Sequence, residues 1–402
     1  MFELNNTIRD YHWGSQSQIS DLLGLQTTTN PQAELWLGAH PGCPSRLADD
    51  GRGLDSVISN DPTGTLGADI AERYGKLPFL FKVLSAAQPL SIQVHPTLEQ
   101  ARARFAKENA AGKALDAADR NYRDDNHKPE MLYALTDFVA LSGFRQPKDI
   151  IDDLELLAPK LEAEGQLALA TLGKCLREDH GLAAALEYVL NCPLDIATVV
   201  QQICAAIQQH TILNERAQFA ELVRINQIYP GDAGVLVALL LNLVFLKPGQ
   251  VISLAAGNVH AYLRGLGIEV MANSDNVLRG GLTSKHIDVP ELLDVSIARP
   301  SAPPLLEAQV LSDSSVVFQP EFDEFQLQVV TGAEGSHAVP LQLHGAGILL
   351  CTDGEFLVQG ATKQVRLNRG ESLFLCASQL PATVTGDGAK SSRLFAASAQ
   401  RA

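Results

Sequence analysis

The chain has 402 residues, 46% hydrophobic and 19% charged, with a formal net charge of −15. That length buries a large core and allows two or three domains, while the acidic balance argues against a nucleic-acid surface, which needs a basic stripe. Six cysteines scattered without a CxxC pair read as reduced thiols of a cytoplasmic protein, not as a disulfide framework.

The opening residues, MFELNNTIRDYHWGS, carry no basic segment followed by an apolar one, so no secretory signal is expected. From 1 to about 145 the chain is turn-rich with short apolar runs, and it reads as mainly β. One of those runs, SIQVHP at 91–96, is unusual. Alternate strand residues share a face, so Gln93 and His95 point one way and Ile92 and Val94 the other. Such a pair is either a polar rim or two ligands of a metal.

From about 147 to 245 apolar residues recur at i, i+3, i+4 and i+7, the helical period. The longest apolar run, GVLVALLLNLVFL at 234–246, is interrupted by Asn242. It is too short for a bilayer span, which takes about 20 residues, so no membrane association is expected. The β texture returns in VISLAAGNVHAYL. Beyond about 300 it continues, with turn signals at TDGE, NRGE and TGDG spaced for hairpins. The expected organisation is therefore a β domain made of 1–146 and 246–300, a helical insertion at 147–245, and a second β domain at 301–402.

Three segments are dense in chemistry: SIQVHP, NYRDDNHKPEM (121–131) and GNVHAYLRGLGIEVMANSDNVLRGGLTSK (257–285). They offer an amide oxygen (Gln93), two imidazoles (His95, His260) and a carboxylate (Glu130). This mixed N/O set suits zinc with water filling an open position. Each residue alone is more often structural than ligating, and convergence in space does not follow from one sequence.

The run Tyr122-x-Asp124-x-Asn126-His127-Lys128-Pro129-Glu130 closely resembles the first signature of the type I mannose-6-phosphate isomerases, or phosphomannose isomerases. HAYLRGLGIEVMANSDNVLRGGLTSK resembles their second. YHWGS (11–15), AELWLGAHP (33–41) and SIQVHP resemble further blocks of that family in the same order. The resemblance implies a cupin, or jelly-roll, catalytic domain holding one zinc, with ligands falling on Gln93, His95, Glu130 and His260 and a catalytic arginine on Arg279. It implies interconversion of mannose 6-phosphate and fructose 6-phosphate through an enediol or enediolate. Two departures stand out: Arg279-Gly280-Gly281 where the family usually has Arg-Ala-Gly, and Thr283-Ser284-Lys285 where it has Thr-Pro-Lys.

The substrate phosphate needs cations; Lys128 and Lys285 are the expected pair, with Ser91 and Lys82 as helpers. The proton-transferring base stays open among Glu269, Asp275, His127 and a zinc-bound water, and Trp13 and Tyr262 are possible sugar-facing walls. The C-terminal region reads as a cupin-like sheet without a metal, and the chain is expected to act as a monomer. Another metal-dependent cupin enzyme, or a non-catalytic sugar-phosphate binder, would share the fold. The first would favour a histidine-rich or redox site, and the second would have no use for the arginine.

Overall fold

The computed structural model describes residues 1–332, 337–386 and 392–401. The last two residues of the TGDG turn, 387 and 388, lie outside the described residues. The architecture is β-rich with a helical middle, as expected for a cupin with an inserted helical block.

An eleven-stranded sheet carries the site. Its central strand, Phe79–Ala86, is buried at every position, which explains why FLFKVLSA shows no polar alternation. On one side it pairs with Glu34–Gly38, on the other with the thirteen-residue strand His260–Ala272. This long strand serves two layers. Its second half pairs with Phe79–Ala86 and Glu130–Ala134, its first half with Phe138–Phe144 and with the short strand Gln93–Val94. Between the halves the register slips at Tyr262/Arg264, and Gly265 follows with a φ of 129°. A Cβ there would stand 2.5 Å from a ring carbon of Phe138, so the bend requires glycine.

The C-terminal strands build an eight-stranded sheet and a four-stranded one. The first strand of the chain, Phe2–Asn5, does not stay with its sequence neighbours. It pairs with Ser372–Leu375 of the eight-stranded sheet on one side and with Arg46–Leu47 on the other. A shared core of Phe79, Phe81, Ile268, Phe374 and Phe395 seals the two large sheets together.

Seven α-helices lie between Pro147 and Leu240. Pro147 occupies the first turn of Pro147–Leu157, and the Asp195 carboxylate caps Ile196–Gln209 by accepting from the Ala197 and Thr198 amides. Their apolar faces meet in one core, which also takes in Ile92 and Val94. The strand that carries Gln93 therefore packs its apolar back on the helical block.

Several elements differ from the sequence reading, among them five helices inside the first β stretch. The apolar run at 234–246 divides into a helix, Gly234–Leu240, and a strand, Leu241–Leu246, paired with Phe138–Phe144. A continuous apolar run has no period to separate the two, so the helical texture ends earlier than 245. In the first β stretch, Leu98–Ala110 is a helix with a reciprocal Thr97/Gln100 capping box, a Thr-x-x-Gln signal present in the sequence.

Candidate active site

Gln93 lies between two partners in the sheet, opposite His260 on one side and Arg279 on the other. Directly paired residues of antiparallel strands project to one face, so amide, imidazole and guanidinium are presented together. His95 follows two residues on and is buried, as are His260 and Glu130. Glu130 opens the strand Glu130–Ala134, at the end of the HKPE segment.

The two imidazoles are held alike. His95 Nδ1 lies 2.8 Å from the Asn276 carbonyl oxygen and His260 Nδ1 lies 2.9 Å from that of Asn258. A carbonyl only accepts, so each ring donates from Nδ1 and turns its Nε2 into the site. Those two Nε2 atoms face opposite oxygens of the Glu130 carboxylate, each at 3.3 Å. Burial, then the neighbouring Lys128, pushes the His95 imidazole down to about 4, so it is neutral. Burial alone would raise the Glu130 carboxyl, but Lys128 Nζ at 2.8 Å holds it well below the usual carboxylate range.

The neutral His95 thus turns a lone pair toward an anion in a buried site, and among the described residues its Nε2 has no hydrogen-bond partner. Without a cation that arrangement is unfavourable. The three ligand atoms lie within 4.8 Å of one another. Gln93 donates its Nε2 to Ser91 Oγ at 3.1 Å, which leaves its amide oxygen free for the cluster. The donor set fits zinc.

Beside the cluster Lys82 is buried with two carboxylates, Glu269 at 3.0 Å and Glu34 at 3.6 Å. Glu34 also accepts from the Trp36 indole at 2.7 Å. Burial would lower the lysine, but Glu269, Glu34 and Glu130 more than offset it and hold it charged. Lys82→Ala leaves those carboxylates uncompensated and is expected to cost about 3–5 kcal/mol of stability in denaturant melts, with part of the loss recovered when Glu269→Gln is added.

A small inner chamber of about 50 Å³ reaches Glu130, His260, Tyr262 and Glu269. It adjoins an outer cavity of about 630 Å³. Ser91, Gln93, Lys128, Arg279 and Lys285 all line the outer cavity, so every expected ligand and substrate residue borders one continuous space except His95, which contributes from behind. Trp13 stacks on Tyr11 at 5.8 Å in the wall. Tyr262 lies in the inner chamber, its hydroxyl buried without a partner.

Of the possible bases, Asp275 borders the outer cavity and Glu269 the inner chamber, where burial and the nearby Glu130 raise its carboxyl despite Lys82. His127 faces elsewhere; its Nε2 lies 2.7 Å from Glu324 of the C-terminal region. Burial, then Arg123, pulls Arg279 down, and burial, Arg279 and Arg123 pull Lys285 down. These cations crowd one another, and among the described residues none of the three makes an ion pair. Arg123 was missed in sequence although it sits inside the first signature. The turn Tyr229–Asp232, from the helical block, also lines the cavity, and nothing in its local pattern marks it.

The departure at Gly280 is sterically neutral. A Cβ there would meet Leu292 and Ile92 no closer than 3.4 Å, an ordinary contact. Gly280→Ala is expected to leave kcat and KM unchanged and to stabilise by about 0.4–1 kcal/mol in thermal melts, through the unfolded chain.

The family described as phosphomannose isomerase type I, catalytic domain, matches residues 1–147. The mannose-6-phosphate isomerase of Escherichia coli (strain K12) is 40% identical over 394 residues, covering 96% of this chain and 98% of its own. That of Rattus norvegicus is 34% identical over 419 residues, covering 94% of each. Among solved structures, a point mutant of phosphomannose isomerase from Salmonella typhimurium superposes with a TM-score of 0.90 at 37% identity, over 100% of both chains. A mannose 6-phosphate isomerase bound with zinc and yttrium superposes with a TM-score of 0.88 at 37% identity, also over 100% of both.

Proposed function

The chain belongs to the type I phosphomannose isomerase family and is a zinc-binding isomerase of mannose 6-phosphate, and on that footing we propose which residues do the work. Gln93, His95, Glu130 and His260 hold the metal. The observation that carries this reading is the pair of imidazole Nε2 atoms facing one buried, ionised carboxylate at 3.3 Å, at the inner end of a sugar-sized cavity.

Zinc held there would supply Lewis acidity toward the open-chain sugar. Arg279, on the same face as Gln93, donates to the oxygen that gains charge as the enediolate forms. Its freedom from carboxylate partners supports that role, because the guanidinium is not already neutralised. Lys285, with Arg123 behind it, holds the phosphate at the cavity mouth. Lys128 spends its ammonium on Glu130, so its main service is to keep that ligand ionised, and Ser91 orients the Gln93 amide. The Tyr11–Trp13 stack shields the sugar from water.

Catalysis is proposed to belong to 1–146 and 246–300, with the helical insertion at 147–245 and the C-terminal β domain at 301–402. The six free cysteines support a cytoplasmic setting. Among the described residues no helix is long and apolar enough to cross a membrane.

A coupled assay for fructose 6-phosphate formed from mannose 6-phosphate tests the proposal. Turnover is expected in the isolated protein, lost on chelation and restored by zinc. Stoichiometric zinc binding without turnover would overturn the assigned substrate while leaving the metal centre in place.

A further inference from the structure

We propose that Asp232, on the turn between the helices Ala217–Ile228 and Gly234–Leu240, is a positioning residue for the substrate loop Arg279–Lys285. The inference rests on the isomerase reading for the loop's task, but its structural basis is independent of the substrate. The Asp232 Oδ1 accepts from two backbone amides: Gly234 at 2.7 Å within its own turn, and Leu282 at 2.9 Å across the cavity wall.

Leu282 is where such a clamp is needed. Its φ is 54°, a left-handed conformation that a leucine adopts only when its surroundings impose it. Its side chain is buried in the helical core, in the cluster that also holds Val235 and Leu292. The preceding Gly281, with a φ of 129°, lies so close to the turn that a Cβ would stand 2.4 Å from Gly234 Cα. On its other edge the loop is tied to the ligand strand: Gly280 N–H donates to the Ile92 carbonyl at 2.8 Å and Ile92 N–H to that of Gly281 at 3.0 Å. The same turn reaches the opposite wall, where the Tyr229 hydroxyl donates to the Pro89 carbonyl at 2.9 Å. Arg279 and Lys285 flank the strained residue and, among the described residues, make no ion pair of their own. The aim of their side chains is therefore set by backbone anchors, and one of those anchors belongs to the helical block.

The test uses the full-length zinc-loaded protein as wild type, Asp232→Ala and Asp232→Asn. Asparagine keeps an acceptor oxygen, so Asp232→Asn is expected within about threefold of wild type, whereas Asp232→Ala lowers kcat/KM about 10- to 100-fold, mainly through KM. The inhibition constant of inorganic phosphate rises with it. Hydrogen exchange of amides 281–284 accelerates in Asp232→Ala and returns toward wild type in Asp232→Asn, with zinc content equal in all three. If Asp232→Ala does not accumulate folded, Asp232→Glu, which displaces the carboxylate by one methylene, is read in the same way. The proposal is overturned if Asp232→Ala leaves KM and the phosphate inhibition constant within twofold, or lowers only kcat, as a loss of folded enzyme would. It is also overturned if Asp232→Asn is as impaired as Asp232→Ala, since charge and not the accepted hydrogen bonds would then matter. A wild type that binds phosphate without turning over mannose 6-phosphate would sink the isomerase reading, while exchange and phosphate affinity would still judge the clamp.

Discussion

Glu130→Gln is expected to abolish zinc binding at stoichiometric metal and to lower turnover of mannose 6-phosphate by about a thousandfold or more. The reason is electrostatic as much as geometric. In the native site one carboxylate places its two oxygens 3.3 Å from two imidazole Nε2 atoms, and that negative charge is what draws a cation to the cluster. An amide of the same shape has no charge and turns one NH₂ toward a ring nitrogen, where it satisfies the lone pair by a hydrogen bond. The substitution therefore removes the attraction and supplies a competitor. It also leaves the Lys128 ammonium, 2.8 Å from Glu130 and largely buried, without its anion. Metal content by atomic absorption, read beside the assay, separates the possibilities. Full zinc occupancy with lost activity would mean that Glu130 acts on substrate and is not a ligand.

How far the site was legible in the sequence follows from how each residue is held. Gln93 and His95 were visible because strand alternation puts them on one face, and that local rule survives folding. Arg279 beside Gln93 was not visible: the two are 186 positions apart in numbering, and only the pairing of two short strands makes them neighbours. Glu130 and His260 stood out as chemistry-bearing residues in dense segments, yet their meeting at one point needed the long strand His260–Ala272 to serve two layers of the sheet. Lys128, two residues before Glu130, shares its face by the same alternation, but that its ammonium turns to Glu130 and not to the substrate phosphate was not visible. Lys82 reads as a strand end in PFLFKVLSA, but it lies mid-strand and buried between two carboxylates brought by other strands. The contribution of Tyr229–Asp232 was hidden for the opposite reason. The stretch looks like a simple break between helices, and its contact with the cavity is purely tertiary.

The distribution of charge follows the same logic. A chain of net charge −15 repels a sugar phosphate at long range, so capture depends on cations concentrated at the mouth. Lys285 and Arg123, with Arg279 further in beside Gln93, are left without anions among the described residues, and burial followed by their mutual repulsion lowers the basicity of Arg279 and Lys285. Structural arginines elsewhere in this protein are satisfied: Arg145 pairs with Asp153, and Arg264 with Glu221. Cations kept apart from such partners are waiting for a ligand.

Arg279→Ala should then separate chemistry from architecture. Because Arg279 has no carboxylate to orphan, its loss is expected to leave the melting temperature and the zinc content unchanged. Because it stands on the ligand face beside Gln93, it is expected to lower kcat by about 10²–10³, the usual scale for removing one donor from a developing oxyanion. KM should move less than kcat, since Lys285 and Arg123 remain at the mouth to hold the phosphate. Arg279→Lys restores charge but not the planar fork of donors, so it should recover only a fraction of kcat. The opposite pattern, a large rise in KM with kcat preserved, would transfer Arg279 to the phosphate end of the substrate. The enediolate would then have to be stabilised by the inner chamber, whose wall carries the ammonium groups of Lys82 and Lys128.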